Sequence, residues 1–438
     1  MDRNIISEQI KAWVADNRAY AESFASELMK IDSRNLPPTG NEKACQLYFA
    51  EEMKKLGGEV EVYDVSKVEG LTEHPAYFAG RDYTDRFNTI SKFFGECDGH
   101  SLMFSGHMDT VSFGNEADWT DSPLSGKVVD GKMYGRGTYD MKGGMAAAAM
   151  AVKCLKDLEI PIAGSVYIET VIDEEYGGAM GTLAGRVHGP NPDFAIIPEP
   201  TNLTMYPAHL GGCTFRARFS GVAGISFAGE TFVNACEAAV RFVTIMKDYK
   251  AYRNTNIVVP EYWDKDWELD CSISGLQSGN VEGMIIDDNP PEATVAFWIE
   301  TYPGMSYQDL VDDIMDFYYK NVDKYTNLTA CEPKLEPVHS FLTGTEMRKD
   351  AFTEEFLNTV AANGKKVLGD EFEEPTGSPF ACDGFIFTLY SDTPALVLGP
   401  KGGNAHGADE FMDMKSYEDL ICWYAELILD WCGTKKED

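Results

Sequence analysis

The sequence predicts an α/β protein with a mostly parallel, doubly wound sheet and an inserted α+β domain. First, short apolar runs alternate with segments whose apolar residues recur at helical spacing, the pattern of a parallel sheet covered on both faces. Second, the length of 438 residues exceeds what one ordinary hydrophobic core needs. Third, the pattern changes within residues 208–335, where strand–helix units follow one another.

Elements outside this segment come in a regular order. Helices are predicted over 5–30 and 41–56, where Gly57 and Gly58 end the second, and over the Ala-rich stretch 143–158. Strands are predicted over the alternating stretch 59–65 and over the apolar runs 101–106, 164–173, 193–200 and 393–400.

The inserted segment has its own strands and helices. Strands are predicted over 215–221 and 293–300, and helices over 231–249 and 306–320. Two such units make an α+β module large enough to fold alone. We therefore expect one domain from 1–207 together with 336–438, and a second from 208–335.

Composition excludes several classes of partner. The chain has 37 basic and 71 acidic residues, a net charge of −34, so phosphates of nucleic acid and anionic membranes would be repelled. Two interpretations of the acidity stay open: attraction of cationic substrates, or simply a highly soluble surface.

Location is inferred from the cysteines and from the absence of long apolar runs. The ten cysteines are scattered without a CxxC pair, which favours reduced thiols in the cytoplasm over a disulfide framework. The charged N-terminal stretch lacks the apolar centre of a signal peptide, and no apolar run is long enough for a membrane span. We expect a cytoplasmic protein without a membrane partner.

Potential metal ligands stand in five turns flanked by Gly or Pro. They are His107, Asp140, Glu175, Glu199 and His406. Two imidazoles and three carboxylates suit two divalent ions if one carboxylate bridges them. Zinc fits this set of donors, with manganese or cobalt as alternatives.

Predicted strand ends bring these ligands together. The side chains follow apolar runs whose carboxyl ends meet at one edge of a parallel sheet, where ligands of such sheets bind. A further carboxylate, Glu174, stands directly before Glu175, where a base that activates water is needed. This combination indicates a hydrolase.

At these motifs the chain resembles the two-zinc family that includes aminoacylase, acetylornithine deacetylase, succinyl-diaminopimelate desuccinylase and the glutamate carboxypeptidases. The resemblance implies that Asp109 holds the ring of His107 through its carboxylate, and that Asp140 bridges the ions and precedes a cis peptide bond. It implies that His107 and Glu199 complete one metal site, and that Glu175 and His406 complete the other. Glu199, rather than Asp, is similar to the deacylase and carboxypeptidase branch.

The resemblance also implies a mechanism and an assembly. Glu174 takes a proton from the attacking water and returns it to the leaving amine, and the bond broken is an amide in a small molecule or peptide. The inserted domain acts as a lid and pairs two subunits into a homodimer.

The lid departs from the family at its substrate-binding positions. Ile225 stands where the family has a His that reaches the oxyanion, Asp287 where it has Asn, and Glu300 where it has Arg. Cys382 also replaces a Thr. Because that Asn and Arg commonly hold a substrate carboxylate, we hypothesise that this chain accepts a cationic substrate instead. A like-charge contact near 4 Å costs on the order of 4 kcal/mol at an effective dielectric of about 20.

Alternatives stay open at each of these positions. Arg216 or Arg218 could replace the missing Arg, and His209 could be a substitute oxyanion donor or a structural residue. The expected function is a metal-dependent hydrolase of an amide bond. The alternatives are a non-catalytic protein that retains metal and a hydrolase of a different C–N bond.

Overall fold

A computed structural model describes residues 3–95, 97–177, 180–224, 231–280 and 289–435. The strands of this part are β1 (Glu59–Asp64), β2 (Phe87–Phe94), β3 (Leu102–His107), β4 (Lys127–Val129), β5 (Lys132–Tyr134), β6 (Ser165–Val171), β7 (Phe194–Ile197), β8 (Ala208–Ser220), β9 (Cys271–Ser278), β10 (Glu292–Thr301), β11 (Lys334–Pro337), β12 (Thr345–Glu346), β13 (Gly377–Ala381), β14 (Ala395–Val397), β15 (Gly402–Gly403) and β16 (Phe411–Asp413). The helices are α1 (Arg3–Asp16), α2 (Arg18–Met29), α3 (Lys43–Lys55), α4 (Lys142–Asp157), α5 (Met180–His188), α6 (Ala235–Asn256), α7 (Tyr307–Asn321), α8 (Ala351–Leu368), α9 (Gly384–Tyr390) and α10 (Met414–Trp431).

The chain forms two compact units. The first comprises Met1–Ala208, Glu346–Ser378 and Asp383–Asp438, and the second comprises His209–Thr345 and Pro379–Cys382. In the described part of the chain, no helix is both long and apolar enough to cross a membrane.

A six-stranded sheet forms the centre of the first unit, in the order β1-β2-β6-β3-β7-β14. β3 runs parallel to β6 and β7, and β14 runs parallel to β7, whereas β1 and β2 are antiparallel. Every residue of β3 is buried, as expected for a central strand covered on both faces. The predicted mostly parallel α/β class is therefore confirmed.

Helix α4 covers this sheet with small side chains. Its run of alanines lets it pack closely, and it contacts both β3 and α10. Gly144 lies so close to the backbone of Pro198 that a Cβ would stand 2.1 Å from its carbonyl oxygen, so only glycine fits there. The close contact brings the start of α4, and with it Asp140, next to the end of β7.

A second, small sheet has the order β15-β16-β5-β4. The chain leaves β5 at Tyr134 and passes through Gly135 and Gly137, both with positive φ, before it enters α4. Asp140 lies in this connection. It therefore follows a strand of the small sheet, as His406 does after β15, whereas the other three ligands lie at or after the ends of strands of the main sheet.

The second unit is an antiparallel sheet with helices packed on it. Its strands follow the order β11-β8-β10-β9, and each neighbouring pair is antiparallel. The side chains that point to one face, among them Phe215 and Phe297, join Phe242 of α6 and Ile314 of α7 in one apolar core. This core is contained within the unit.

Candidate metal centre

His107 is the last residue of β3, and its side chain is buried. Its Nδ1–H donates to the backbone carbonyl of Asp109 at 2.8 Å, which leaves Nε2 as the atom that can bind a metal. The carboxylate Oδ1 of Asp109 lies 3.7 Å from Nδ1, beyond hydrogen-bond range. In this structure the ring is thus oriented by the backbone carbonyl of Asp109, and the carboxylate of Asp109 makes no hydrogen bond to it.

Asp140 lies between the two candidate histidines. Its Oδ1 is 3.2 Å from Nε2 of His107, and its Oδ2 is 3.2 Å from Nε2 of His406. The peptide bond to Met141 is cis, as the resemblance implies. A carboxylate whose two oxygens face two different imidazoles has the geometry of a bridging ligand.

The remaining two carboxylates each face one histidine. Oε1 of Glu199 lies 3.6 Å from Nε2 of His107, and Oε2 of Glu175 lies 3.0 Å from Nε2 of His406. Glu199 follows β7 and Glu175 follows β6, so the parallel strands bring them together. The structure therefore groups the five predicted ligands in the two pairs that the resemblance implies.

The donor set fits divalent cations. Potential ligand atoms of His107, Glu174 and Glu199 lie within 4.8 Å of one another, and so do those of His107, Asp140 and Glu175. Oε1 of Glu175 is buried and has no hydrogen-bond partner. Because a buried carboxylate oxygen normally requires a partner, this atom is consistent with coordination to an ion.

Burial and the crowding of charged groups shift the pKa values of these side chains when no cation is bound. Burial, together with neighbouring carboxylates, raises the pKa of Glu174, Glu175 and Glu199. The charge of Glu175 is the main cause that raises the pKa of His406 to about 11. Burial lowers the pKa of His107, but its bond to Asp140 and the charges around it outweigh burial and raise it.

Glu174 lies in the turn that follows β6. Its Oε2 is 4.0 Å from Nε2 of His107, so its carboxylate lies directly beside the predicted ligands. Its backbone N–H donates to Oδ1 of Asp109 at 3.3 Å, and that of Glu175 donates to Oδ2 at 3.0 Å. The carboxylate of Asp109 therefore fixes the turn that carries the candidate base.

A network of buried charged residues behind this turn was not predicted. Asn35 donates to Oδ2 of Asp109 at 2.7 Å and to Oδ1 of Asp173 at 3.1 Å. Asp173 also receives bonds from Tyr83 and from the guanidinium groups of Arg81 and Arg86. The sequence signal available was weak: an acidic residue directly before Glu174, and two arginines about 90 positions earlier.

Asp383 is a second buried carboxylate that was not predicted. It accepts the hydroxyl of Thr182, and its charge is among the causes that raise the pKa of Glu174. It follows Cys382 in the ACDG stretch, which resembles a motif of the family, so this stretch was the available signal.

The predicted substrate-binding residues fall partly outside the described structure. Ile225 and Asp287 lie outside the described residues. Glu300, on β10, accepts the backbone N–H of Asp270 at 2.7 Å through Oε2. The pKa of Glu300 is raised, and burial of its side chain is the largest cause.

Both ring nitrogens of His209 are engaged within the second unit. Nδ1–H donates to the carbonyl of Leu210 at 2.8 Å, and the hydroxyl of Thr345 donates to Nε2 at 2.9 Å. Burial lowers the pKa of His209 to about 4, so the ring is neutral. These contacts favour a structural role for His209, and its tentative placement among the substrate-binding residues stays a prediction.

Similarity to known proteins agrees with these observations. An acetylornithine deacetylase of Proteus mirabilis is 28% identical over 345 residues, which cover 76% of this chain and 80% of the relative. An N-formyl-4-amino-5-aminomethyl-2-methylpyrimidine deformylase of Bacillus subtilis is 24% identical over 476 positions that span 100% of both chains. The crystal structure of the YXEP protein of Bacillus subtilis, a dinuclear metal-binding peptidase, has a TM-score of 0.62 at 16% identity over 95% of this chain and 99% of its own.

The sequence model of peptidase family M20/M25/M40 matches residues 103–430, three quarters of the chain. The match covers all five predicted ligands, and it confirms the resemblance that their motifs indicate. The chain therefore belongs to peptidase family M20/M25/M40.

Proposed function

We propose that this chain hydrolyses the amide bond of a small molecule, with water as the nucleophile and Glu174 as general base. Family membership makes it a hydrolase of amide or peptide bonds. The position of Glu174 supports the finer proposal: its Oε2 lies 4.0 Å from Nε2 of His107 and borders the cluster of imidazoles and carboxylates. A metal-retaining protein without catalysis has no use for a base at that position.

Two divalent ions are proposed as cofactors, zinc first, with manganese or cobalt as alternatives. His107, Asp140 and Glu199 would hold one ion, and Asp140, Glu175 and His406 would hold the other. Bound divalent ions supply Lewis acidity, which lowers the pKa of water and polarises a carbonyl.

The protein's own residues then handle the proton. Glu174 accepts it from the attacking water and delivers it to the nitrogen of the leaving amine. With no cation bound, burial and the nearby carboxylates raise the pKa of Glu174, which makes its carboxylate a stronger proton acceptor. Asp109 keeps the carboxylate in place through the backbone of the turn.

We propose that the substrate carries a cationic or basic group. Glu300 occupies the place where the resemblance expects Arg, and its bond to Asp270 holds a carboxylate in that position. The names of both relatives support the direction: ornithine is a basic amino acid, and the other name describes a pyrimidine with an amino group. The compound that the second name describes has no carboxylate group.

The second unit is proposed to act as the lid and to pair two subunits, as the resemblance implies. A cytoplasmic location is proposed as well. All ten cysteines lie in the described part of the chain and none forms a disulfide, which suits a reducing compartment.

The base can be tested with Glu174→Gln, which keeps the shape and removes the charge. We expect the variant to bind zinc in the wild-type amount and to hydrolyse amides about 10²–10⁴-fold more slowly. N-acetylornithine, N-formyl amines and dipeptides would be assayed with both proteins, and metal content measured by elemental analysis.

The exposed Glu371→Gln is the matched control, because it removes the same charge from the surface. If Glu174→Gln hydrolyses amides at the wild-type rate, Glu174 is not the base. Two bound ions without hydrolysis in either protein would favour the non-catalytic alternative.

A further inference from the structure

Glu410 is a fully buried carboxylate that the proposed mechanism leaves unused. Its Oε1 accepts the backbone N–H groups of Gly137 at 3.0 Å, Tyr139 at 3.0 Å and Asp140 at 3.1 Å. These residues form the connection that carries Asp140 into α4. Hydrogen bonds from N–H groups to a carboxylate are charge-assisted and stronger than those between neutral groups. With three of them, Glu410 fixes the backbone of this connection.

Arg136 extends the same contact to two further loops. Its Nη1 pairs with Oε2 of Glu410, and its Nη2 donates to the carbonyls of Ser112 at 3.2 Å and Gly407 at 3.1 Å. Gly407 directly follows His406, and Ser112 lies on the loop that follows His107. One buried ion pair therefore connects the loops that carry Asp140 and His406 with the loop that follows His107.

The loop that carries His406 needs contacts with surrounding residues to keep its backbone conformation. Asn404, His406 and Asp409 all have positive φ, at 58°, 62° and 53°. A non-glycine residue in this region is unfavourable by roughly 1 kcal/mol or more, and it persists only where surrounding contacts fix it. The bond from Arg136 to Gly407 lies at the centre of this loop.

We propose that Glu410 is a positioning residue for the metal centre, which holds Asp140 directly and His406 through Arg136. The inference rests on the proposed two-metal site. Its effect is on the affinity for metal, since neither side chain is placed at the proton-transfer step. Groups that orient metal ligands typically change affinity by about 10–100-fold when replaced.

The substitution Glu410→Gln tests this with little change of shape. A glutamine can keep its oxygen toward the three N–H groups, but it then presents an NH₂ group to the guanidinium of Arg136. We expect the link between the loops to break and affinity for Zn²⁺ to fall about 10–100-fold. The measurement is titration of metal-depleted protein with Zn²⁺ against a chromophoric chelator, with the Co²⁺ absorption spectrum as a second readout.

Arg136→Lys separates the ion pair with Glu410 from the hydrogen bonds to the two loop carbonyls. Lysine keeps a charge opposite Glu410 but lacks the planar fork that reaches both carbonyls. We expect weaker Zn²⁺ binding in this variant as well, and a double variant no worse than the more affected single one, because both belong to one unit. If Glu410→Gln does not fold, the Arg136→Lys titration decides the question.

Glu426→Gln is the matched control. Glu426 is also buried and pairs with Arg3 at 2.8 Å and Lys366 at 3.1 Å, away from the predicted ligands. Its variant should lose stability and bind Zn²⁺ like the wild type. Folded Glu410→Gln protein with wild-type affinity and Co²⁺ spectrum would overturn the proposal. If the wild-type protein does not bind two Zn²⁺ ions, the proposed two-metal site itself is refuted.

Discussion

The carboxylate of Asp109 accepts the backbone N–H of Glu175 at 3.0 Å, and its other oxygen accepts that of Glu174 at 3.3 Å. One side chain thus fixes both a predicted metal ligand and the candidate base. Its backbone carbonyl meanwhile orients His107. Asp109 therefore connects the two strand ends that supply these groups, β3 and β6.

Asp109→Asn should disturb this turn. The amide can accept one of the two N–H groups but places a donor against the other, so one buried donor is left unpaired. We expect amide hydrolysis about 10–100-fold slower and weaker Zn²⁺ binding. Steady-state kinetics and a zinc titration would measure both.

Asp64→Asn is the matched control for that experiment. Asp64 also accepts a backbone N–H in a turn, that of Ser66 at 3.0 Å, but on the surface of the first unit. Equal effects of the two substitutions would mean that Asp109 contributes only to general stability.

Much of the fold could be predicted because its strands are short, apolar and buried. β7 lies within its predicted range, β3 extends one residue past its own to His107, and α4 matches its Ala-rich stretch to within one residue. The predicted helix over 5–30 is two helices, since Asn17 interrupts it and donates its side-chain amide to the carbonyl of Trp13 at 2.8 Å. β9 was not predicted, because CSISGLQS contains a glycine and little apolar alternation, and it is a strand through pairing with β10.

The residues of the candidate site also differ in whether a local sequence pattern marks them. Each predicted ligand follows a recognisable apolar run or a glycine turn, so the sequence itself indicated its place. Asn35, Asp173 and Glu410 contact their partners across long separations in sequence, such as the 270 positions between Glu410 and Asp140. No local pattern encodes these contacts, and the hydrogen bonds became visible only in the folded chain.

Removal of metal should lower the thermal stability of the protein. The site concentrates buried carboxylates whose mutual repulsion a bound cation relieves, and a ligand that binds only the folded state stabilises it by about 2.7 kcal/mol at 100 times its Kd. We expect Zn²⁺ to raise the melting temperature of metal-depleted protein, as measured by differential scanning fluorimetry. In Asp140→Asn, which loses the bridging carboxylate, this increase should shrink; an unchanged increase would contradict the proposed site.

Substrate charge can be tested at Glu300. Glutamine can still accept the N–H of Asp270, so Glu300→Gln removes charge and leaves this hydrogen bond. We expect the KM of an N-acyl diamine to rise about tenfold, equal to about 1.4 kcal/mol, and that of a neutral N-formyl amine to stay unchanged. Steady-state kinetics on both substrates provide the comparison.

Glu336→Gln is the control on the same sheet, since Glu336 pairs with Arg218 at 2.6 Å. Wild-type enzyme that prefers N-acyl dicarboxylates to N-acyl diamines would refute the cationic-substrate proposal, whatever the variants do.

His209 should make the second unit sensitive to acid. Burial lowers its pKa from 6.5 to about 4, so the unfolded chain takes up a proton first as the pH falls. Stability is therefore unaffected by this group above about pH 6.5 and is lost between there and about pH 4, by roughly 3 kcal/mol at 1.36 kcal/mol per pKa unit. Urea unfolding of metal-depleted protein across this range would measure the loss.

His209→Gln separates this structural role from a catalytic one. Glutamine can accept the hydroxyl of Thr345 in place of Nε2 and does not titrate, so the variant should lose stability at neutral pH by about 1 kcal/mol and show a shallower acid dependence. The exposed His100→Gln should keep the wild-type slope. Because both nitrogens of His209 are engaged within the unit, hydrolysis at pH 7.5 should change only a few-fold. A fall of about 10²–10³ in kcat, the usual cost of a lost oxyanion donor, would instead assign His209 to the reaction.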